Sequence, residues 1–162
     1  MWALVLALGW YLYQSISPNI DIPDSGYPAP DFSLTTLEGD TLQLSGLEGQ
    51  VVVLNIWATW CPPCRVEIPG FKNLQEEFAG EVQFVGLSVD EEGFDVVGPF
   101  AREKEINYPQ LASREVAARS YGETTTIPRT YLIDREGEIR YMHSGLLLEG
   151  SLRAGLEKLV SE

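Results

Sequence analysis

The stretch Trp57-Ala58-Thr59-Trp60-Cys61-Pro62-Pro63-Cys64 holds the only two cysteines among 162 residues. The β-branched and apolar run Val51–Ile56 before it predicts a buried strand, and residues 65–78 after it carry apolar side chains at helical spacing. The two thiols are therefore predicted to lie at a strand-to-helix turn. Cys61 falls at the helix start, where free N–H groups and the positive end of the helix dipole favour a thiolate. We expect Cys61 to be the nucleophile and Cys64 its resolving partner.

Length and charge restrict what the chain can be. A length of 162 residues, of which 44% are hydrophobic, predicts one domain of ordinary size with a short appendage. Such a domain needs no disulfide to hold it together, so one close pair of cysteines is available for chemistry. The formal net charge of -13 argues against nucleic acid as a partner, and its simplest role is to keep the protein soluble.

The amino terminus is too apolar for the exposed end of a soluble domain. Trp2–Tyr13 contains no charged residue, and about a dozen residues is shorter than the roughly 20 that a membrane-spanning helix needs. No A-x-A-like cleavage site follows, while Trp10, Tyr11 and Tyr13 are typical of an interfacial aromatic belt. We expect residues 1–14 to be an uncleaved hydrophobic signal-anchor. A cleaved signal peptide and a helix docked on the domain are the alternatives.

The rest of the chain divides into a linker and one domain. Four prolines between Ser15 and Pro30 indicate an extended tether over residues 15–30. The folded domain is then predicted to span residues 31–162. Short extended segments on either side of Glu38-Gly39-Asp40 predict a β-hairpin ahead of the main sheet.

Strand and helix patterns alternate within this domain. Strands are predicted at 51–57, 82–89, 108–112, 130–134 and 139–143, and helices at 65–78, 94–106, 114–121 and 149–160. Pro69 is expected to bend the first helix, and Gly98-Pro99 to break the second. Alternation first, with a hairpin and a helix last, predicts an α/β fold whose central mixed sheet has helices on both faces.

The spacing of the two cysteines indicates redox chemistry. A C-x-x-C pair at a strand-to-helix turn brings two sulfurs close enough to form a disulfide. Structural zinc would need four ligands, and His143 and carboxylates are all that the chain offers beyond the cysteines. Trp60 before the pair and Pro62-Pro63 inside it should shield and stiffen the turn and leave Cys61 as the exposed sulfur.

With these residues the chain resembles the thioredoxin superfamily, and within it the TlpA/ResA-like branch. The resemblance rests on Trp57–Cys64 with Pro69 after it, and covers Pro30 to Val160. The Ala29–Leu34 segment, the insert Asp90–Leu111 and the apolar amino terminus point to the branch. The resemblance implies a thioredoxin-like fold with an N-terminal hairpin and a central insert.

The resemblance also implies a substrate-binding set. In the family a proline opposite the dithiol has a cis peptide bond, and Pro128 matches its position. The backbone of Ile127 would then pair with an extended segment of the substrate. Trp60 and Pro62, beside the nucleophile, complete the set. Arg129 departs from the family's usual threonine, and its simplest role is that of a solvated side chain; the alternative is that it favours a nearby thiolate or an acidic substrate.

Proton transfer at the dithiol is expected to differ from that in plain thioredoxins. Asn55 stands where those proteins carry a buried carboxylate that moves protons for the resolving cysteine, and an amide cannot titrate. In the branch an acidic residue of the insert can lie beside the dithiol, and Glu91 matches that position best, with Asp90 next. Glu91 is therefore expected to be catalytic together with the two cysteines, a solvated acidic loop being the alternative. Glu67 also recurs in the branch, although periodicity alone places it on the helix surface.

By this resemblance the protein is a thiol:disulfide oxidoreductase tethered to the cell membrane by a single-pass anchor, with its catalytic domain on the extracytoplasmic, or periplasmic, side. It would need no cofactor. The resemblance implies disulfide-bearing protein substrates, such as the haem-site cysteines of apocytochrome c, and electrons from an integral membrane thiol carrier.

Two other functions compete with this one. A peroxiredoxin-like peroxidase shares the segment Pro30–Leu34, but its peroxide site needs a cysteine three residues after its threonine, where this chain has Pro62. A non-enzymatic copper-delivery module would use both thiolates and His143 for Cu(I). Relatives with that task space their cysteines one residue wider.

Overall fold

The computed structural model describes residues 21–122 and 124–162. Over these residues the elements are β1 Tyr27–Pro28, β2 Ser33–Thr35, β3 Thr41–Gln43, β4 Val51–Trp57, α1 Pro62–Glu77, β5 Val82–Ser88, α2 Phe94–Glu103, β6 Gln110–Ala112, α3 Arg114–Tyr121, β7 Arg129–Ile133, β8 Glu138–Ser144 and α4 Glu149–Ser161. In this described part, none of the helices is both long and apolar enough to cross a membrane. The predicted anchor, residues 1–14, lies outside it.

Six strands form the central sheet in the order β1-β8-β7-β4-β5-β6. Strand β4 pairs in parallel with β5 and antiparallel with β7, so the sheet is mixed, as predicted. Strands β2 and β3 form a separate two-stranded hairpin, which confirms the hairpin expected around Glu38-Gly39-Asp40.

Strand β4 lies at the centre of two hydrophobic cores. Every residue of β4 is buried, which explains its continuous apolar run. Leu54 packs in one core with residues of α2 and α3, and Val53 in a second core with residues of α1 and α4. The helices therefore cover both faces of the sheet, as the alternation of patterns predicted.

Two prolines lie inside helices without ending them. Helix α1 continues through Pro69, as predicted. The predicted break at Gly98-Pro99 is wrong, because α2 is continuous from Phe94 to Glu103. One proline removes a single intrahelical hydrogen bond, and the buried Val97 and Ala101 hold α2 against the core on either side of it.

The described part of the predicted tether, residues 21–30, lies against the domain. Ile22 is buried in the second core, and its carbonyl accepts a hydrogen bond from Lys158. The Pro23 carbonyl accepts two from the Arg140 guanidinium, and β1 extends the sheet edge by pairing with β8. Among the described residues, packing on the domain is therefore already present at Ile22, before Asp31, because the edge of β8 pairs with β1 and the buried Arg140 binds the Pro23 carbonyl.

Candidate active site

The two cysteines lie where β4 passes into α1, which confirms the predicted strand-to-helix turn. Cys61 is the N-cap of α1, and Pro62 takes the first helical position, where a missing N–H costs nothing. A disulfide joins Cys61 to Cys64, with their Cα atoms 5.3 Å apart. The backbone N–H of Cys64 donates to Cys61 Sγ at 3.3 Å. After reduction, the same N–H and the helix dipole would stabilise a Cys61 thiolate.

Neither cysteine is exposed in the disulfide form. Cys61 is 3% exposed and Cys64 2%, so the expected greater exposure of Cys61 is not observed. Both pack in the core that also contains Trp57 and Ala58. Trp60, by contrast, is 61% exposed and stands next to the nucleophile, where a partner protein can reach it.

Asp90 fixes the turn that leads to Cys61. Its Oδ2 accepts hydrogen bonds from the Thr59 N–H (2.9 Å) and from Ser88 Oγ (2.7 Å), and its Oδ1 accepts from Thr59 Oγ1 (2.7 Å). The Asp90 side chain is nearly buried and both of its oxygens are occupied. Its contacts are those of a residue that holds the backbone before the dithiol in place.

Glu91, the acidic residue expected beside the dithiol, lies on the surface. Its side chain is 79% exposed and pairs with Arg114 of α3, Oε1 to Nη1 at 3.1 Å. Asp90 turns inwards to Thr59, and Glu91, the next residue, turns out to solvent. The structure therefore does not bring Glu91 to the dithiol.

A different carboxyl, that of Glu67, is buried on the helix that carries the dithiol. It lies one helical turn after Cys64, a spacing that places the two side chains on one face of α1. Glu67 Oε1 accepts from the Leu147 N–H at 2.6 Å, and Oε2 accepts from Asn55 Nδ2 at 3.5 Å. Burial raises the pKa of Glu67 to about 8, although the hydrogen bonds from Leu147 and Asn55 oppose that rise.

Periodicity missed Glu67 because its burial comes from outside the helix. The loop between β8 and α4 lies over this face of α1 and places Leu147 against the carboxyl. A helical pattern in the sequence shows only which residues share a face of the helix. It does not show that a loop 80 residues away covers that face. The recurrence of Glu67 in the resembling branch was the one available signal.

The peptide bond between Ile127 and Pro128 is cis, which confirms the prediction made from the resemblance. Pro128 is buried, and its carbonyl accepts from the Gly145 N–H at 2.8 Å. Strand β7 starts directly after it and pairs with the end of β4, next to the dithiol. Half-buried Ile127 packs against the core that contains both cysteines.

Arg129 is not the solvated side chain that its position suggested. It is half-buried, and its Nη1 donates to the Tyr121 carbonyl at the carboxyl end of α3 at 2.8 Å. The Tyr131 hydroxyl donates to the same carbonyl. Arg129 therefore ties the start of β7 to the end of α3.

An apolar rim flanks α1, the helix that begins at the dithiol. It consists of Trp60, Val66, Leu146 and Leu148, which are four of the six exposed large apolar side chains in the described residues. Three of them line a cavity of about 230 Å³ between α1 and the loop before α4, and buried Glu67 contributes to its wall. Apolar surface beside a reactive disulfide is a feature of sites that bind other polypeptides.

His143 lies on β8. Its Nε2 lies 3.2 Å from the Leu146 carbonyl oxygen, and its ring stacks on Tyr141. Within residues 21–122 and 124–162, no three histidine, cysteine or acidic side chains are grouped as metal ligands would be.

The sequence of this chain is similar to those of known proteins. A model of the AhpC/TSA family matches residues 25–142. The thioredoxin-like protein YneN of Bacillus subtilis is 35% identical, over 95% of this chain and 91% of its own length. The thiol-disulfide oxidoreductase ResA of Oceanobacillus iheyensis is 34% identical, over 92% of this chain and 82% of its own.

A solved structure shows the same fold. It is a thiol:disulfide interchange protein of the thioredoxin family from Chlorobium tepidum, with a TM-score of 0.75 and 28% identity over 85% of this chain and 99% of that one. The buried C-x-x-C disulfide at the start of α1 agrees with these names. The chain therefore belongs to the AhpC/TSA family, as a thioredoxin-like thiol-disulfide oxidoreductase.

Proposed function

We propose that this protein is a membrane-tethered reductase of protein disulfides that works outside the cytoplasm. The observation that carries the proposal is the disulfide between Cys61 and Cys64 at the amino end of α1, with the Cys64 N–H directed at Cys61 Sγ. Once the disulfide is reduced, this arrangement stabilises a thiolate on Cys61 and keeps the Cys64 sulfur close enough to bond with it.

The reaction passes two electrons from the dithiol to the substrate. The Cys61 thiolate attacks one sulfur of the substrate disulfide, so that this bond breaks, a mixed disulfide forms, and the other substrate sulfur leaves as a thiolate that takes a proton. Cys64 then loses its proton and attacks Cys61 Sγ, which releases the second substrate sulfur. The enzyme is left with the Cys61–Cys64 disulfide of the structure.

The second step needs a proton acceptor for buried Cys64, and we assign that role to Glu67. A carboxyl whose pKa is about 8 is close to an ordinary thiol pKa of about 8.5, which suits proton exchange between the two groups. Glu67 takes the part that was expected of Glu91, because it is buried on the helix face of Cys64 and Glu91 is in solvent.

The surroundings of the dithiol support a polypeptide substrate. The cis-proline loop at Ile127 offers backbone for pairing with an extended segment, and the apolar rim offers surface for its side chains. The haem-site cysteines of apocytochrome c are such a substrate. An integral membrane thiol carrier is the electron donor, and the apolar run Trp2–Tyr13 supports a tether beside it.

Trapping of the mixed disulfide in native membranes tests the function. In full-length Cys64→Ser protein the resolving step is blocked, so a disulfide-linked partner should accumulate and can be identified by mass spectrometry. Cys61→Ser, the matched control, should trap none. A partner trapped only by Cys61→Ser would contradict the assignment of the nucleophile.

The direction of the reaction and the location have separate tests. In cells that lack the protein, the cysteines of the trapped substrate should become oxidised, and their reduction instead would contradict a reductase.

Removal of residues 1–14 should release the domain from the membrane fraction. A membrane-impermeant thiol reagent should label the reduced full-length protein in intact cells.

A further inference from the structure

Three polar side chains form a buried cluster behind the dithiol. Asn55 on β4 donates from Nδ2 to Thr130 Oγ1 on β7 at 3.0 Å, and the same nitrogen lies 3.5 Å from Glu67 Oε2. All three residues are nearly inaccessible to solvent, and Thr130 completely so. Buried polar groups are held where their hydrogen bonds are made, so each contact in this cluster restricts the others.

The strand register produces the cluster. Asn55 and Thr130 are directly paired in the antiparallel β4–β7 ladder, and paired residues project to the same face of a sheet. Helix α1 covers that face and brings Glu67 to it. Their neighbours on the same face, Val53 and Leu132, belong to the second hydrophobic core, so the presence of an amide opposite a hydroxyl calls for a reason.

The amide nitrogen of Asn55 has two hydrogens at a fixed angle to each other. When one of them is held by Thr130 Oγ1, the other is directed towards Glu67. Without the hydroxyl, the amide is free to rotate and to place its oxygen against the carboxyl. An amide oxygen repels a carboxylate, whereas an amide N–H stabilises it.

We propose that Thr130 is a positioning residue, whose hydroxyl orients the Asn55 amide so that an N–H faces Glu67 and stabilises the ionised carboxyl. The inference rests on the proposed function in one respect, because the proposed function makes Glu67 the proton acceptor of Cys64. It is consistent with the pKa of Glu67, which burial raises and which the hydrogen bonds from Leu147 and Asn55 lower.

Four other titratable groups lie on the elements around Glu67. Cys64 lies on α1, and in the disulfide form it does not titrate. His143 on β8 is paired with Thr130 in the β7–β8 ladder. Tyr108 has a pKa raised by burial and then by the charge of Glu67, and Glu149 at the start of α4 is engaged by an arginine and an asparagine.

The test is a carbon-13 NMR titration of the Glu67 carboxyl in the oxidised full-length protein, assigned with Glu67→Gln. Thr130→Val keeps the shape of the side chain and removes the hydroxyl, and should move the midpoint upwards by roughly half to one pH unit. Thr130→Ser should restore the wild-type midpoint. Thr36→Val, which removes another buried hydroxyl, one with no hydrogen-bond partner among the described residues, should leave the midpoint unchanged.

Two further variants keep the inference open to refutation. Thr130→Ala removes the hydroxyl without adding a methyl group, and should shift the midpoint in the same direction if Thr130→Val folds poorly. In an Asn55→Ala background, Thr130→Val should add no further shift, because the threonine acts through the amide. A wild-type midpoint in both Thr130→Val and Thr130→Ala, or a full extra shift without Asn55, would overturn the positioning role.

A kinetic measurement separates this inference from the proposed function. The rate at which Cys64 resolves a preformed mixed disulfide is measured against pH in the wild type and in Thr130→Val. A shift of this profile equal to the NMR shift supports both. An NMR shift with an unmoved kinetic profile leaves Thr130 as the positioning residue for Glu67 and refutes Glu67 as the proton acceptor of Cys64.

Discussion

The backbone N–H of Leu147 lies 2.6 Å from Oε1 of Glu67, and this contact joins the loop before α4 to the helix that carries the dithiol. The same loop carries Leu146 and Leu148 of the apolar rim, and its Gly145 N–H bonds to the Pro128 carbonyl. The loop that binds the Glu67 carboxyl thus also contacts the cis-proline loop and contributes to the surface that would receive a substrate.

Glu67 should make the stability of the oxidised protein depend on pH. Its pKa is about 8 in the folded protein against an ordinary value of 4.5, so between these values the folded state keeps a proton that the unfolded state has lost. The free energy of unfolding should fall as pH rises through this window, by about 1.4 kcal/mol per pH unit. Below pH 4.5 the contribution is fully present.

Urea denaturation at several pH values checks this dependence. Glu67→Gln cannot ionise, so its free energy of unfolding should fall less than that of the wild type between pH 5 and 8. Glu77→Gln, on the surface of the same helix, is the control and should follow the wild type across this window. Parallel curves for the wild type and Glu67→Gln would contradict the buried titration.

The apolar rim should matter for protein substrates and not for small disulfides. Leu148→Ser removes an exposed apolar contact, and should lower kcat/KM for a protein disulfide about 10-fold while leaving the reduction of a small aromatic disulfide unchanged. Met142→Ser, which removes a similarly exposed side chain outside the rim, is the control. Equal losses on both kinds of substrate would point to damage at the dithiol instead.

Removing the side chain of Asp90 should affect the protein, whereas removing that of its neighbour Glu91 should not. Asp90→Ala leaves the Thr59 N–H and hydroxyl without their acceptor, and should destabilise the protein by about 1–3 kcal/mol in urea denaturation. It should also alter the rate of Cys61 alkylation, because the turn before the nucleophile loosens. Glu91→Ala should change neither quantity, since its side chain is in solvent. If the pH profile of protein-disulfide reduction were displaced in that variant, Glu91 would again be a catalytic candidate.

Arg140 should be the most important ion-paired residue for the attachment of residues 22–30. Its buried guanidinium bonds to Asp134, Glu162 and the Pro23 carbonyl, so Arg140→Leu leaves a buried carboxylate unpaired and should cost about 3–5 kcal/mol. Arg119→Leu breaks an exposed pair with Glu115 and should cost less than about 1 kcal/mol. Similar losses in the two variants would show that the buried network adds little.

Local sequence was sufficient for the elements whose pattern and packing agree. The apolar run Val51–Trp57 became a strand buried on both faces, and Arg114–Tyr121 became a helix with the predicted bounds. The spacing of Cys61 and Cys64, with the strand before them and a helix after, placed the dithiol correctly. These features depend on residues within a few positions of each other, and such information is local.

Only the tertiary structure decided which polar groups belong to the site. Glu67 is buried by a loop that joins β8 to α4, Glu91 is exposed because Asp90 takes the inward position, and Thr130 meets Asn55 through strand register. Each of these outcomes depends on contacts between residues far apart in the chain. The sequence by itself determined the reactive pair and the sheet around it, whereas the proton environment of that pair comes from long-range packing that sets burial and, through it, the pKa of a carboxyl.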